Sequence, residues 1–107
     1  MKGIKFDNGK LRWSLLPLEP IQETIKVLMY GADKYTHEVD GKTITGDDNW
    51  KMIDDIPNKY YNALMRHITA WKLGEKKDPE TNLPHLAHAI CCLLFMLWHE
   101  LKTIQSK

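Results

Sequence analysis

The sequence predicts an all-α fold: a compact helical domain of three main helices, with a small β-hairpin insertion and an irregular N-terminal arm. Three observations predict it. Apolar residues recur at helical spacing in three separate segments. Prolines near the start of all three segments, and glycines near the end of the first two, punctuate them as helices. Asp40-Gly41, flanked by Val39 and Lys42, is a hairpin turn signal in an otherwise helical chain.

The arm, residues 1–17, contains a turn at Asp7-Asn8-Gly9 and then Leu11, Trp13, Leu15 and Leu16. So apolar an arm is expected to strap across the helices, with Phe6 and Trp13 as its anchors. Pro17 and Pro20 open the first helix, along which Ile21, Ile25, Leu28 and Met29 recur at helical spacing, and Gly31 lies at or near its C-terminus. Residues 36–48 form a hairpin or extended flap, since an isolated pair of strands is marginal as a core. Asn49-Trp50 closes this excursion and makes Trp50 an anchor into the core. A second helix is predicted over residues 57–73, stopped by Gly74. The third begins at residues 82–84 and runs to about Thr103, with Leu86, Ile90, Leu93, Leu94, Leu97 and Leu101 on one face. Phe95, Met96 and Trp98 widen that face until the helix should be buried nearly all round.

With 107 residues the chain is one domain, 1–107, with a modest core. A net charge of +1 with scattered lysines argues against duplex nucleic acid as a partner. No h-region follows Met1, and the apolar run from Ala89 to Trp98 falls short of the roughly 20 residues of a spanning helix. The expectation is a soluble protein of the cytoplasm with no membrane partner. Cys91 and Cys92, adjacent on a helix, cannot readily pair with each other and read as buried thiols. Four tryptophans and so apolar a third helix in so short a chain lead us to expect a homo-oligomer.

The chemistry concentrates between Arg66 and Glu100. The second helix carries Arg66, His67 and Trp71 into a short loop with Glu75, Asp78 and Glu80, and the third helix opens on His85 and His88. His85 and His88 are three apart and share a helix face. They can hold a divalent metal together with Asp78 and Glu75 from the loop, or else cap and pack. Arg66 can present a fork to phosphate, or form a salt bridge to Asp78 or Glu75. Trp71 is either a core residue or a stacking platform, and Lys34 and Tyr35 beyond the first helix can complete a phosphate pocket. The sequence has no P-loop, Rossmann or nucleophile-elbow motif. It also lacks the E-E-x-x-E and E-x-x-D helices with which all-α nucleotide pyrophosphatases hold magnesium, and an adjacent His-Asp pair.

The runs KFDNGKLRWSLLP, GADKY, NW, KYYNALMRH, AW, GE, DPET and HLAHAICCLLF resemble, in order, the phage-encoded dATP/dGTP diphosphohydrolase N-terminal domain. The resemblance spans residues 4–98. It implies a phage or prophage origin, hence a host cytoplasm, and a purine nucleotide as partner. It does not by itself imply catalysis, because in the fused architecture the catalytic acids belong to another domain. Three departures stand out: the insertion HEVDGKTITGDD, Asn82 where the turn would carry glycine, and Pro84 before His85.

Residues and resemblance together lead to an expectation of binding, and hydrolysis to monophosphate and pyrophosphate, of a purine deoxynucleoside triphosphate with a divalent metal, Mg²⁺ or Mn²⁺ ahead of Zn²⁺. In this reading Glu75, Asp78 and His67 are catalytic, and Arg66, Lys34, Tyr35 and Trp71 bind substrate. His85, His88, Asp78 and Glu75 hold the metal. The alternative is a non-catalytic protein that sequesters a nucleotide or cyclic-nucleotide signal, or serves another enzyme as an accessory module. A third possibility is an interaction domain whose polar cluster is purely structural.

Overall fold

Pro17 lies just outside the first helix, α1 (Leu18–Lys34), and Pro20 sits in its first turn, where no N–H is required. These assignments come from a computed structural model, which describes residues 2–105. Two strands follow, β1 (His37–Val39) and β2 (Lys42–Ile44), paired antiparallel with Val39 opposite Lys42. Asp40 and Gly41 form the two-residue turn between them, with φ of 52° and 75°. Both residues in the left-handed region is what a type I′ hairpin turn demands. A short 3-10 turn over Asn49–Met52 leads to α2 (Ile56–Lys72), and a loop then leads to α3 (His85–Gln105). The fold is therefore the three-helix domain with hairpin and arm that the sequence predicts.

α1 continues past Gly31 to Lys34, because a single glycine weakens a helix without stopping it. Its C-terminal turn is pinned to the hairpin. The Thr36 hydroxyl donates to the Ala32 carbonyl at 2.8 Å, and Gly46 N–H donates back to Thr36 Oγ1 at 3.0 Å. Gly46 is buried there so tightly that a Cβ would overlap the Ala32 carbonyl oxygen.

The core is small. Val27 of α1 packs against Ala87 and Cys91 of α3, with Leu28, Leu83 and Phe95 around them. α3 packs most extensively on α2 and next on α1. Beside this core Trp50 stacks on Phe95 at 4.2 Å between centroids and meets Trp98 edge-on at 4.7 Å, and so serves as the anchor its position suggested.

Three expectations from hydrophobic pattern are corrected. α3 is not buried nearly all round: its buried residues are His85, Ala87, Ala89, Cys91 and Cys92, whereas Leu86, Leu93, Leu94, Leu97 and Leu101 are exposed. Small side chains let α1 and α3 approach closely, and that approach turns the larger leucines outward. On α1, likewise, Thr24 and Val27 are buried while Ile25 and Met29 are exposed. The arm does not strap across the helices either. Ile4, Phe6 and Leu11 are 82%, 82% and 81% exposed, and Trp13 and Leu15 lie exposed in a short 3-10 turn. By length and composition α3 is also long and apolar enough to cross a membrane.

Candidate functional site

The loop between α2 and α3 is built to return its side chains to the start of α3. α2 ends in a Schellman cap: Glu75 N–H donates to the Ala70 carbonyl and Gly74 N–H to the Trp71 carbonyl, both at 3.0 Å. The cap requires a left-handed residue, and Gly74 supplies it at φ 107°. The loop then closes on itself. Asp78 N–H bonds Leu83 O at 2.9 Å, and His85 N–H bonds Lys76 O at 2.9 Å. Asn82 turns the corner at φ 57°.

Within this frame the Thr81 N–H and hydroxyl both donate to Asp78 Oδ2, at 3.0 and 3.2 Å. The Thr81 hydroxyl has then spent its proton, so the 2.8 Å contact with His88 Nε2 is a bond in which His88 donates. His88 also stacks on His67, with centroids 4.5 Å apart and planes 9° from parallel.

His85 is 4% exposed and holds the centre. Its Nε2 lies 2.6 Å from Glu75 Oε1, a carboxylate that can only accept, so Nε2 carries the proton. Its Nδ1 faces His67 Nδ1 at 2.9 Å. In the neutral His85 ring the Nδ1 lone pair accepts from His67. One ligand atom each from His67, Asp78 and His85 lie within 4.8 Å of one another.

The electrostatics keep His67 and His88 neutral. Burial, aided by His88 and His85, pushes His67 down to about 4, and burial lowers His88 as well, against the opposing pull of Asp78. Burial works to raise the Asp78 carboxyl, but the Thr81 bonds and the nearby histidines outweigh it and leave it lowered. At neutral pH these three groups thus present one anionic carboxylate and two neutral imidazoles.

His67 and His88 also face a groove of about 960 Å³ between α1, α2 and α3. Lys34, Tyr35, Arg66, Glu80 and Thr81 line it, as do Trp50, Tyr60 and Phe95. Lys34 is paired with Glu80 at 3.4 Å, and Tyr35, then Glu80, raise its pKa. Arg66 forms no salt bridge with Asp78 or Glu75 among the described residues, and it opens into the groove instead. Trp71 is exposed and is not among the residues lining the groove.

The structure thus brings together His67, Asp78, His85, His88 and Glu75, and places Lys34, Tyr35 and Arg66 along an adjoining groove. The converging trio includes His67, while the relevant atoms of Glu75 and His88 are engaged by His85 and Thr81. Sequence reasoning missed Thr81 altogether, and it assigned no groove role to Glu80, Trp50, Tyr60 or Phe95. The signal for Thr81 was present in Asp78-Pro-Glu-Thr81, where an aspartate accepts from the N–H three residues on.

The whole chain, residues 1–107, matches the family described as dATP/dGTP diphosphohydrolase, N-terminal. The chain belongs to that family. A protein of Salmonella phage PMBT28 described as a dATP/dGTP diphosphohydrolase is 34% identical over 98 residues, covering 92% of this chain and 30% of its own length. The chain therefore spans about a third of that diphosphohydrolase. No solved structure matches it. At the turn where the family resemblance expects glycine, Asn82 takes up the left-handed conformation that glycine would supply.

Proposed function

We propose that this domain binds a purine deoxynucleoside triphosphate in the groove and, with a divalent metal, hydrolyses it to the monophosphate and pyrophosphate. One observation carries the reading. Tyr60 and His67 lie seven residues apart on α2, and Phe95 and His88 seven apart on α3, all four facing the groove. An aromatic region and an imidazole region are therefore separated by two helical turns, about 10 Å. That separation suits a purine on Trp50, Tyr60 and Phe95 with its phosphates at Lys34, Arg66 and His67. Water would attack the α-phosphorus and pyrophosphate would leave. Glu80, paired with Lys34, lines the groove at that end. Asp78 converges with His67 beside it, Glu75 acts through His85, and Tyr35 borders the phosphate end.

A second reading is a non-catalytic binder that sequesters a nucleotide or cyclic-nucleotide signal, or an accessory module. It is favoured by Asp78 being the single carboxylate of the converging trio, since pyrophosphatase chemistry ordinarily draws on clustered acids. In either reading the protein is of phage origin, works in the host cytoplasm as a homo-oligomer, and engages neither duplex nucleic acid nor membrane.

The test is to incubate the pure chain with nucleotides and Mg²⁺, Mn²⁺, Co²⁺ or Zn²⁺, resolving bound ligand and products. Pyrophosphate released from dATP or dGTP supports the first reading, and tight binding without products supports the second. Neither binding nor products with any nucleotide would reject both. Arg66→Ala should weaken nucleotide binding by on the order of 2 kcal/mol, measured by calorimetry, through loss of a charged hydrogen bond.

A further inference from the structure

We propose that His67 Nδ1, His85 Nδ1 and Asp78 form a site for one first-row transition-metal dication, Mn²⁺ or Zn²⁺ rather than Mg²⁺, with Glu75 as the positioning residue that fixes the His85 tautomer. The proposal deepens the metal-dependent reading above, and its test is metal binding rather than turnover.

The geometry supplies the warrant. Two nitrogens bound to one ion at about 2.1 Å, with a right angle between them, lie about 3.0 Å apart. His67 Nδ1 and His85 Nδ1 are 2.9 Å apart. The ligand atoms of the trio lie within 4.8 Å of one another, so the Asp78 side chain closes by up to about 1.5 Å to reach the spacing of about 3.0–3.4 Å that ligands keep around a shared ion. Both hydrogen bonds on Asp78 fall on Oδ2, and among the described residues Oδ1 accepts none.

The donor set selects the metal class. Imidazole nitrogen suits zinc and its neighbours, whereas Mg²⁺ prefers an all-oxygen octahedron and keeps its water. Glu75 completes a carboxylate–histidine–metal relay, in which the ring nitrogen facing away from the ion donates to a carboxylate and so keeps the facing nitrogen unprotonated. His88 stays outside the ligand set because its Nε2 donates to Thr81.

One proton has to move. Without metal, His67 Nδ1 carries the hydrogen that it donates to His85. On binding, that hydrogen leaves Nδ1 and His67 takes the Nε2–H tautomer. The neutral ring keeps its single proton, so no charge is created.

The experiment titrates the full chain, stripped by a chelator, with Mn²⁺, Zn²⁺ or Mg²⁺ alone, using calorimetry and, for Mn²⁺, electron paramagnetic resonance. One equivalent of Mn²⁺ or Zn²⁺ should bind, with Mg²⁺ at least 100-fold weaker. His67→Ala and Asp78→Asn should each weaken binding 100-fold or more. Glu75→Ala should weaken it about 10- to 100-fold, and Glu75→Gln less, because the amide oxygen still accepts. His88→Ala should leave affinity within a few-fold.

Because His85 is buried, the substitutions are made at the less buried positions, with circular dichroism confirming helix content in each variant. Nitrogen-15 imidazole spectra supply a second readout: His85 should be Nε2–H throughout, and His67 should change from Nδ1–H to Nε2–H on adding metal. No bound ion, Mg²⁺ binding as tightly as Mn²⁺, an unaffected His67→Ala, or a His88→Ala loss equal to that of His67→Ala would each overturn the site. A His85 ring protonated on Nδ1 would overturn the role of Glu75. Metal bound without pyrophosphate release keeps this site and rejects the catalytic reading; release with Mg²⁺ but no ion at the trio does the reverse.

Discussion

A neutral histidine has one proton to place, and at His85 the placement is dictated by Glu75, 2.6 Å from Nε2. That single constraint orders the rest of the cluster, because it makes His85 Nδ1 an acceptor facing His67. The same residue-scale reasoning applies to the thiols. Cys91 Sγ donates to the Thr24 carbonyl at 3.5 Å, and burial pushes the Cys91 thiol up to about 12 and the Cys92 thiol up to about 11. Both stay protonated at pH 8, with thiolate at about one part in a thousand or less. Neither should react with Ellman's reagent in the native protein at pH 8, and both should react in denaturant. Rapid native labelling of Cys91 would show that the α1–α3 seam opens readily. That the thiols are buried was legible from two adjacent cysteines on an apolar helix, but the packing of Cys91 against Val27 was not.

At the scale of elements, the connections are more tightly specified than the helices they join. Asp40-Gly41, Gly74 and Asn82 all sit at positive φ where the chain must reverse or stop. Asn82→Gly should leave the thermal midpoint nearly unchanged, whereas Asn82→Val should cost about 1–2 kcal/mol, since a β-branched side chain fits the left-handed region poorly. Equal stability of the two variants in urea would count against a strained turn. Gly46 holds the hairpin to the end of α1, and a Cβ there would also lie 2.8 Å from the Tyr35 carbonyl carbon. Gly46→Ala should therefore destabilise by about 1–3 kcal/mol. It should also displace Tyr35, and with it the edge of the groove, read as weaker nucleotide binding. The turn residues were legible in the sequence because glycine, asparagine and aspartate announce special backbone. The end of α1 was legible only to within a turn, because Gly31 is tolerated where its neighbours continue to pack.

The whole molecule is less self-contained than a domain of its length. Its radius of gyration is 17.7 Å, against about 13 Å for a compact chain of this size. Leu93, Leu94, Leu97 and Leu101 of α3, together with the apolar arm, stay exposed in the single chain. A monomer carrying that surface would associate, and a closed dimer is the common outcome. Sedimentation of the full chain at tens of micromolar should give a dimer or larger closed oligomer. Leu97→Asp with Leu101→Asp should shift it toward monomer, with helix content kept. A stable monomer in the unmutated chain would reject oligomerisation.

What the sequence by itself determined is the set of pieces: three helices, the Asp-Gly hairpin, the stop at Gly74, Trp50 as an anchor, and a short loop that must bring Glu75 and Asp78 back toward His85. These depend on local backbone preference and on chain length between fixed points, which a sequence states directly. Only the tertiary structure decided which faces are buried and which atoms meet. The rotation of α3 that turns Ala87 and Cys91 inward and the leucines outward is set by how closely α1 approaches, and apolar periodicity cannot report that distance. The pairing of His67 with His85, and of His88 with Thr81, follows from that same rotation and from the single proton each imidazole carries.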